Sequence, residues 1–393
     1  MMDYLIIGNG VAGTTAGENI RKADDSGNIT MLTEEDTPFY HRLRLNDYIA
    51  GDIHEKDLIV RDQKWYEDRA IDLALDHRVV DANAGKKQVE TADGKSFSYD
   101  RLLIATGSHS FIPPITGSDK KGVFALRSVK DARDISAFAQ GIDEVALIGG
   151  GLLGLEAGNA LRRLKKRVVV VEFFPRLLPR QLDVDGAKRL QEIMEGMGFA
   201  FRLGAKTKEI GGDDGVESVV LEDGESIAAR MVVISAGVRP NMELADALNL
   251  DRDKGIQVNE RLETSQSDIY AAGDVAEFRG MPYGIWPAAM EQGKIAGINM
   301  AGGDERYEGT TMANKLKVVG IDLASAGNID VENELEAKLV QDETVYKKIV
   351  IEDDRIVGCI MLGDTNGFNK ITRAMSDKRS GSEVGELLTS MGF

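Results

Sequence analysis

The chain has 393 residues, enough at roughly 150 residues per domain for two or three compact units with a sizeable core. Lys and Arg number 48 against 65 Asp and Glu, a formal net charge of −17, which argues against a nucleic-acid backbone or an anionic membrane as general partner. Hydrophobic residues at 42% and charged residues at 29% are typical of a folded soluble chain, and the single cysteine, Cys359, excludes an internal disulfide and any metal site built from thiolates.

In chain order, Leu5, Ile6 and Ile7 predict a short strand. GNGVAG follows at Gly8 to Gly13, then a helical stretch through Arg21, then a strand over Ile29 to Leu32 ending at Glu34 and Glu35. Strand, glycine turn, helix, strand and acid make one βαβ unit. Strands and turns between His77 and Tyr99 precede the run Leu102 to Ile104, which closes on Ala105, Thr106 and Gly107, and Pro113 and Pro114 mark a crossover. The same grammar returns with Val145 to Ile148, GGGLLG at Gly149 to Gly154, a helix through Leu164, and Val168 to Val171 ending at Glu172. Met231 to Ile234 closes this copy on Ser235, Ala236 and Gly237, an echo of the first closing. Ile269 to Asp274 reads as a strand ending in glycine and an acid, followed by a helix from Pro287 to Met300. From Arg306 onward, short apolar runs at Lys317 to Ile321, Lys348 to Ile351 and Ile356 to Leu362 predict a small α+β unit. No stretch approaches about 20 apolar residues and the N-terminus lacks the apolar core of a leader, so the expectation is a cytoplasmic protein with no membrane partner.

The chain carries 43 glycines, above the typical share of roughly 7%. In GxGxxG the missing side chains let the backbone approach a pyrophosphate, and the next helix points its free N–H groups at it. Two such turns, Gly8, Gly10, Gly13 and Gly149, Gly151, Gly154, predict two dinucleotide sites. The duplication implies an α/β fold with two similar open-sheet domains, and likeness to known flavoproteins implies two Rossmann-like domains of three-layer ββα type, the second inserted in the first, plus the C-terminal unit. Their bounds are 1–110 with 236–305, then 111–235, then 306–393. An acid after the second strand accepts hydrogen bonds from adenosine ribose. Glu172 fills that role in the second copy, and with Phe173 and Phe174 after it a ribose 2′-phosphate would meet a carboxylate, which favours NADH over NADPH. In the first copy Glu34 and Glu35 both remain candidates, because a slip of one residue changes which faces the ribose.

This order of motifs resembles the two-dinucleotide-domain flavoproteins of the pyridine nucleotide-disulfide oxidoreductase superfamily, over Asp3 to Ala301. The resemblance implies FAD on the first turn and closing, Ala105, Thr106 and Gly107, and NAD(H) on the second turn with Gly237. It places Asp274 of YAAGDV on the flavin ribityl chain, Arg42 near the flavin pyrophosphate, Arg127 against FAD, the Val79 backbone at the adenine, and Glu156 facing the nicotinamide. The cysteines that disulfide-exchanging relatives carry near His41 to Asn46 are missing, and the four histidines, His41, His54, His77 and His109, offer no C-terminal histidine dyad. Asp47 stands where some ferredoxin reductases have lysine.

Trp286 in IWPAAMEQG resembles a tryptophan that rubredoxin- and ferredoxin-reductase relatives place beside the flavin. Val171 to Asp183, Lys315 to Ile329 and Tyr346 to Thr365 carry the likeness to NADH:rubredoxin oxidoreductases and to the flavin part of nitrite reductase large subunits across nearly the whole chain. The resemblance implies hydride transfer from NADH to flavin N5 and single-electron release to a small redox protein such as rubredoxin. The alternatives are the flavin component of a nitrite-reductase-like system, since a chain ending at Phe393 with one cysteine is not expected to reduce nitrite alone, or an NADH oxidase. An acidic carrier would need a basic patch, either Arg162, Arg163, Lys165, Lys166 and Arg167 or Arg42, Arg44, Lys315, Lys317 and Lys370. Monomer and homodimer both remain open.

Overall fold

Strand Asp3–Ile7 lies at the centre of a five-stranded parallel sheet ordered Ile269–Ala271, Arg101–Ile104, Asp3–Ile7, Asn28–Leu32, Ile71–Ala74. The computed structural model describes residues 1–310 and 313–393. Alternate side chains of the central strand face opposite layers, as a pleated backbone requires. Tyr4 and Ile6 pack toward helices Val11–Ala23 and Trp286–Met300, whereas Leu5 and Ile7 pack toward the antiparallel strands Val79–Asn83, Gln88–Thr91 and Ser96–Ser98. Burial on both faces explains why these strands read as unbroken apolar runs. The two helices touch closely: a Cβ on Gly293 would fall 2.3 Å from the Ala12 carbonyl oxygen, and one on Gly297 2.5 Å from that of Ala16.

The second sheet repeats the plan in the order Ala200–Leu203, Arg167–Glu172, Glu144–Ile148, Met231–Ile234, Val123–Phe124, again all parallel. Val145 and Leu147 share a core with Leu155, Ala160 and Leu161 of helix Leu152–Arg163, and Ala146 and Ile148 pack against the antiparallel strands Thr207–Gly211, Ser218–Leu221 and Ser226–Ala228. Where the chain crosses between the two sheets, Ser108–Ser110 pairs antiparallel with Val238–Pro240, so the outgoing and returning crossings brace each other.

The C-terminal unit is a five-stranded antiparallel sheet in the order Ala313–Val318, Ile321–Gly327, Arg355–Leu362, Tyr346–Glu352, Glu336–Gln341. Helices Phe368–Ser376 and Ser382–Ser390 cover one face. The other face shares a core with the second domain, Leu323, Tyr346, Ile360 and Leu362 meeting Leu177, Leu182, Leu190 and Met194. At the same boundary the Lys348 ammonium donates to Asp183 at 3.1 Å and to the Asp330 carbonyl at 2.7 Å, and the Tyr346 hydroxyl donates to Asp183 at 2.7 Å, all deep in the interior. The run Lys317 to Ile321, expected to be one apolar segment, instead contains a hairpin turn, because Val318 pairs with Ile321 and leaves Val319 and Gly320 as a two-residue loop. Among the described residues no helix is long and apolar enough to cross a membrane.

Candidate active site

Each glycine turn divides its glycines between fold and ligand. Gly8 has φ +113°, its N–H donates to the Leu32 carbonyl at 2.8 Å, and a Cβ on it would fall 2.1 Å from the Ala105 carbonyl oxygen. A Cβ on Gly13 would fall 1.9 Å from the Gly8 oxygen, whereas the same position on Gly10 meets open space. The second turn matches: Gly149 has φ +111° and would meet the Ser235 carbonyl at 2.2 Å, Gly154 would meet Gly149 at 2.6 Å, and Gly151 is open. Gly10 and Gly151 are the N-caps of their helices and neither helix has a side-chain cap, so the first N–H groups stay available to an anion. These cradles fit the pyrophosphate of a dinucleotide.

A cavity of about 1920 Å³ starts at Gly8 and Gly10 and runs past Ala105, Thr106 and Gly107 to Arg127, Asp274, Trp286 and Glu156. Single ligand sites typically occupy roughly 300–1,000 Å³, so the space suits a large cofactor together with part of a second one. Glu34, Glu35, Arg42 and Val79 also line it. Arg42 donates to Glu35 at 2.8 Å and Tyr40 donates to the other Glu35 oxygen at 2.6 Å, whereas Glu34 is exposed, 3.7 Å from Arg78. The strand registers align Thr33, not either glutamate, with Glu172: Gly8 bonds Leu32 as Gly149 bonds Val171. Glu34 and Glu35 therefore lie one and two residues further along than the acid of the second copy.

Asp274 and Arg127 meet at 2.8 Å, and the Ser108 hydroxyl donates to the same Asp274 oxygen at 2.8 Å. Arg127 also donates through Nε to the Ser108 carbonyl at 2.9 Å. The two residues expected at the flavin are thus joined to each other in the cavity wall. Trp286 opens its helix and stacks on His41 with ring centroids 5.0 Å apart and planes 23° apart, with Phe39 tilted against it at 5.8 Å. Glu156 accepts the Val319 N–H at 2.7 Å. Burial pushes its carboxyl above the usual range, the Val319 bond opposes this, and the Asp47 carboxylate adds to it. Val319, a β-branched residue at φ +55°, and Gly320 at φ +85° bring the C-terminal hairpin into the cavity wall.

Gly13, Gly149, Gly151, Gly154, Glu172 and Gly237 are not among the residues lining this cavity. Glu172 is buried, one oxygen accepting the Phe174 N–H at 2.7 Å and the other the Gly150 N–H. Gly237, at φ +100°, lines a small cleft with Leu153 and Ser235. The window His41 to Asn46 forms a tight turn, Arg42–Arg44, leading into the short helix Leu45–Ile49, where Arg44 pairs with Asp47 at 3.2 Å. Cys359 is fully buried in the C-terminal sheet, and burial pushes its thiol up to about 12. Of the basic residues considered for docking, Arg42, Arg162, Arg163 and Lys317 line the cavity, Arg163 paired with Asp52, and Lys370 is exposed on helix Phe368–Ser376. Lys165, Lys166 and Arg167 lie past the end of helix Leu152–Arg163, Lys166 donating to the Ile142 carbonyl at 2.7 Å and Arg167 to Glu144 at 2.7 Å. The Lys315 side chain lies outside the described residues.

Comparison with known proteins agrees with this arrangement. The pyridine nucleotide-disulphide oxidoreductase profile matches residues 2–293. The chain belongs to this family. Its members use FAD and NAD(H), and this pyridine nucleotide-disulphide oxidoreductase has two glycine-turn cradles of matching geometry. The profile of the rubredoxin NAD+ reductase C-terminal domain matches residues 313–379. Nitrite reductase [NAD(P)H] of Bacillus subtilis is 38% identical over 98% of this chain, which spans 48% of that protein; the chain spans about half the length of several of the curated relatives it matches. NADH-rubredoxin oxidoreductase of Clostridium acetobutylicum is 30% identical over 98% of this chain and 97% of its own. Its crystal structure matches with a TM-score of 0.84 at 29% identity, covering 96% of each chain. NADH oxidase of Methanocaldococcus jannaschii is 33% identical over the whole of this chain and 94% of its own.

Proposed function

We propose that this oxidoreductase takes hydride from NADH onto bound FAD and passes electrons one at a time to a small redox protein of the rubredoxin kind. When bound, FAD supplies the hydride acceptor at N5 and the conversion from two-electron to one-electron chemistry. The chain contributes position and field. The first glycine turn and the free N–H groups of helix Val11–Ala23 hold the flavin pyrophosphate, and Asp274, Ser108 and Arg127 hold the polar chain between phosphates and ring. Helix Leu152–Arg163 carries Glu156 to the cavity where the nicotinamide must meet the flavin, and Trp286, stacked on His41, lines the same cavity.

The observation that carries this reading is a flavin-sized cavity with no thiol in it: the turn at His41 to Asn46 has no cysteine and Cys359 is buried in another sheet. Electrons therefore have no internal disulfide to reduce and leave for a separate acceptor. The match of residues 313–379 to the rubredoxin reductase C-terminal domain supports the choice of carrier. Anaerobic stopped-flow with purified protein tests it: NADH bleaches the flavin absorbance faster than NADPH does, and rubredoxin restores it. No reoxidation by any rubredoxin overturns the reading. A second reading, the electron-supplying part of a nitrite-reductase-like assembly, draws on the 38% identity along 98% of the chain. Co-purification with a haem or iron–sulfur protein would favour it, and rapid peroxide formation in air would favour an oxidase instead.

A further inference from the structure

The two glycine turns differ at one position. In the second, a side chain on the middle residue Gly150 would crowd its neighbours, since a Cβ would fall 2.8 Å from the end of the Leu177 side chain and 3.1 Å from Glu172. In the first, Asn9 takes that place and its side chain is buried between Thr14 and Tyr66. The Asn9 carbonyl oxygen accepts two hydroxyls, Tyr66 at 2.7 Å and Thr14 at 3.2 Å. Tyr66 is fully buried on the short helix Gln63–Glu67, and its own oxygen accepts the Phe39 N–H at 3.3 Å. In this arrangement its single proton goes to the Asn9 side-chain oxygen. The Asn9 amide nitrogen, buried and bearing two hydrogens, has no acceptor in the protein. Buried donors are rarely left unmet in native proteins. Asn9 lines the cavity next to Gly10, where a ligand has open space, and next to the uncapped start of helix Val11–Ala23.

We infer that Asn9 donates its amide to a pyrophosphate oxygen of the resident FAD and that Tyr66 is the positioning residue that orients it. The inference rests on the first turn being the flavin site. It separates the two sites by chemistry: the first turn has a buried side-chain donor that slows release of a cofactor, and the second, with Gly150, lets a co-substrate exchange at each turnover.

Rebinding of FAD to deflavinated protein, followed by flavin fluorescence, tests this, with ADP and NAD+ titrated as probes of the first and second sites. A hydrogen bond to a charged group contributes roughly 1.5–3 kcal/mol, so N9A is expected to bind FAD about 10- to 100-fold more weakly and to release it faster. N9D keeps the acceptor for Tyr66 and Thr14 but turns a carboxylate toward the phosphates, and is expected to lose more. Y66F is expected to lose less than N9A, with ADP affinity falling in step with FAD for every variant and NAD+ affinity within about twofold of wild type. N9S, which restores a hydroxyl donor, is expected to recover part of the loss. Variants that hold FAD within about twofold of wild type overturn the inference, as does an equal loss of FAD and NAD+, which marks general damage. If N9D does not fold, N9A and Y66F still discriminate between these outcomes. Failure of the wild-type protein to rebind FAD would instead overturn the assignment of the first turn.

Discussion

At Glu156, burial in the cavity wall and the nearby Asp47 favour the protonated acid, the Val319 N–H favours the carboxylate, and burial prevails. Because the folded-state value lies above the unfolded one, stability from the protonated form is complete below the ordinary glutamate range and is lost as pH rises through the raised value. Glu156→Gln keeps an acceptor for Val319 without the charge. Its melting temperature should therefore gain on wild type as pH rises above the ordinary glutamate range and be level with it at the acid end. Asp274 poses the opposite problem: its loss removes the carboxylate that pairs with Arg127 and leaves the guanidinium bonded to Ser108. Asp274→Ala should cost the cofactor-free protein about 1–3 kcal/mol in urea unfolding, less than a wholly buried pair because both side chains keep some access to solvent. Glu156, Arg127 and Asp274 were each candidates through the family resemblance of the segments that carry them. Their partners were not: Val319 lies 163 residues from Glu156 and Asp274 147 from Arg127, and nothing local encodes such contacts.

The glycine turns were the most legible elements, since strand, turn and helix form within some twenty consecutive residues and their conformational demands are local. They also make a sharp prediction. Gly10→Ala should leave the cofactor-free fold intact and weaken FAD binding, because a methyl there meets only the ligand's space, whereas Gly13→Ala should compromise the fold itself by driving a methyl into the Gly8 carbonyl. Circular dichroism and flavin titration of the two variants separate these outcomes. The hairpin at Val319 and Gly320 was not legible. A β-branched residue at φ +55° contradicts every local turn preference and is held there by the cavity wall and Glu156. The Lys348 and Asp183 pair was equally hidden. Lys348→Met, which leaves Asp183 buried and unpaired, should destabilise by about 3–5 kcal/mol in urea unfolding, with Asp183→Asn in the same chain recovering part of it.

For the whole molecule, a core shared between the second domain and the C-terminal sheet makes those two units one packing body, and the hairpin that reaches the cavity is part of it. The charge of −17 opposes an acidic carrier, and we propose that such a carrier docks against the cations lining the cavity, Lys317 and Arg162 among them. Raising salt from about 50 to 500 mM should slow reduction of an acidic carrier several-fold while leaving reduction of an uncharged benzoquinone by NADH little changed. At the other site we propose that the buried Glu172 carboxylate, bonded to the Gly150 and Phe174 N–H groups, disfavours a nearby 2′-phosphate, and kcat/KM for NADH should then exceed that for NADPH by about 10- to 100-fold.

Neighbouring residues and composition were enough to specify the two nucleotide cradles, the three-part organisation and the missing cysteines, because each is a local or a bulk property of the chain. Folding in three dimensions was needed to close Arg127 on Asp274, to rest Trp286 on His41, to bring Glu156 to the C-terminal hairpin and to let Tyr66 orient Asn9. Those contacts join residues tens to hundreds of positions apart. They exist because packing the sheets and helices buries polar groups that must then find partners wherever the fold brings them.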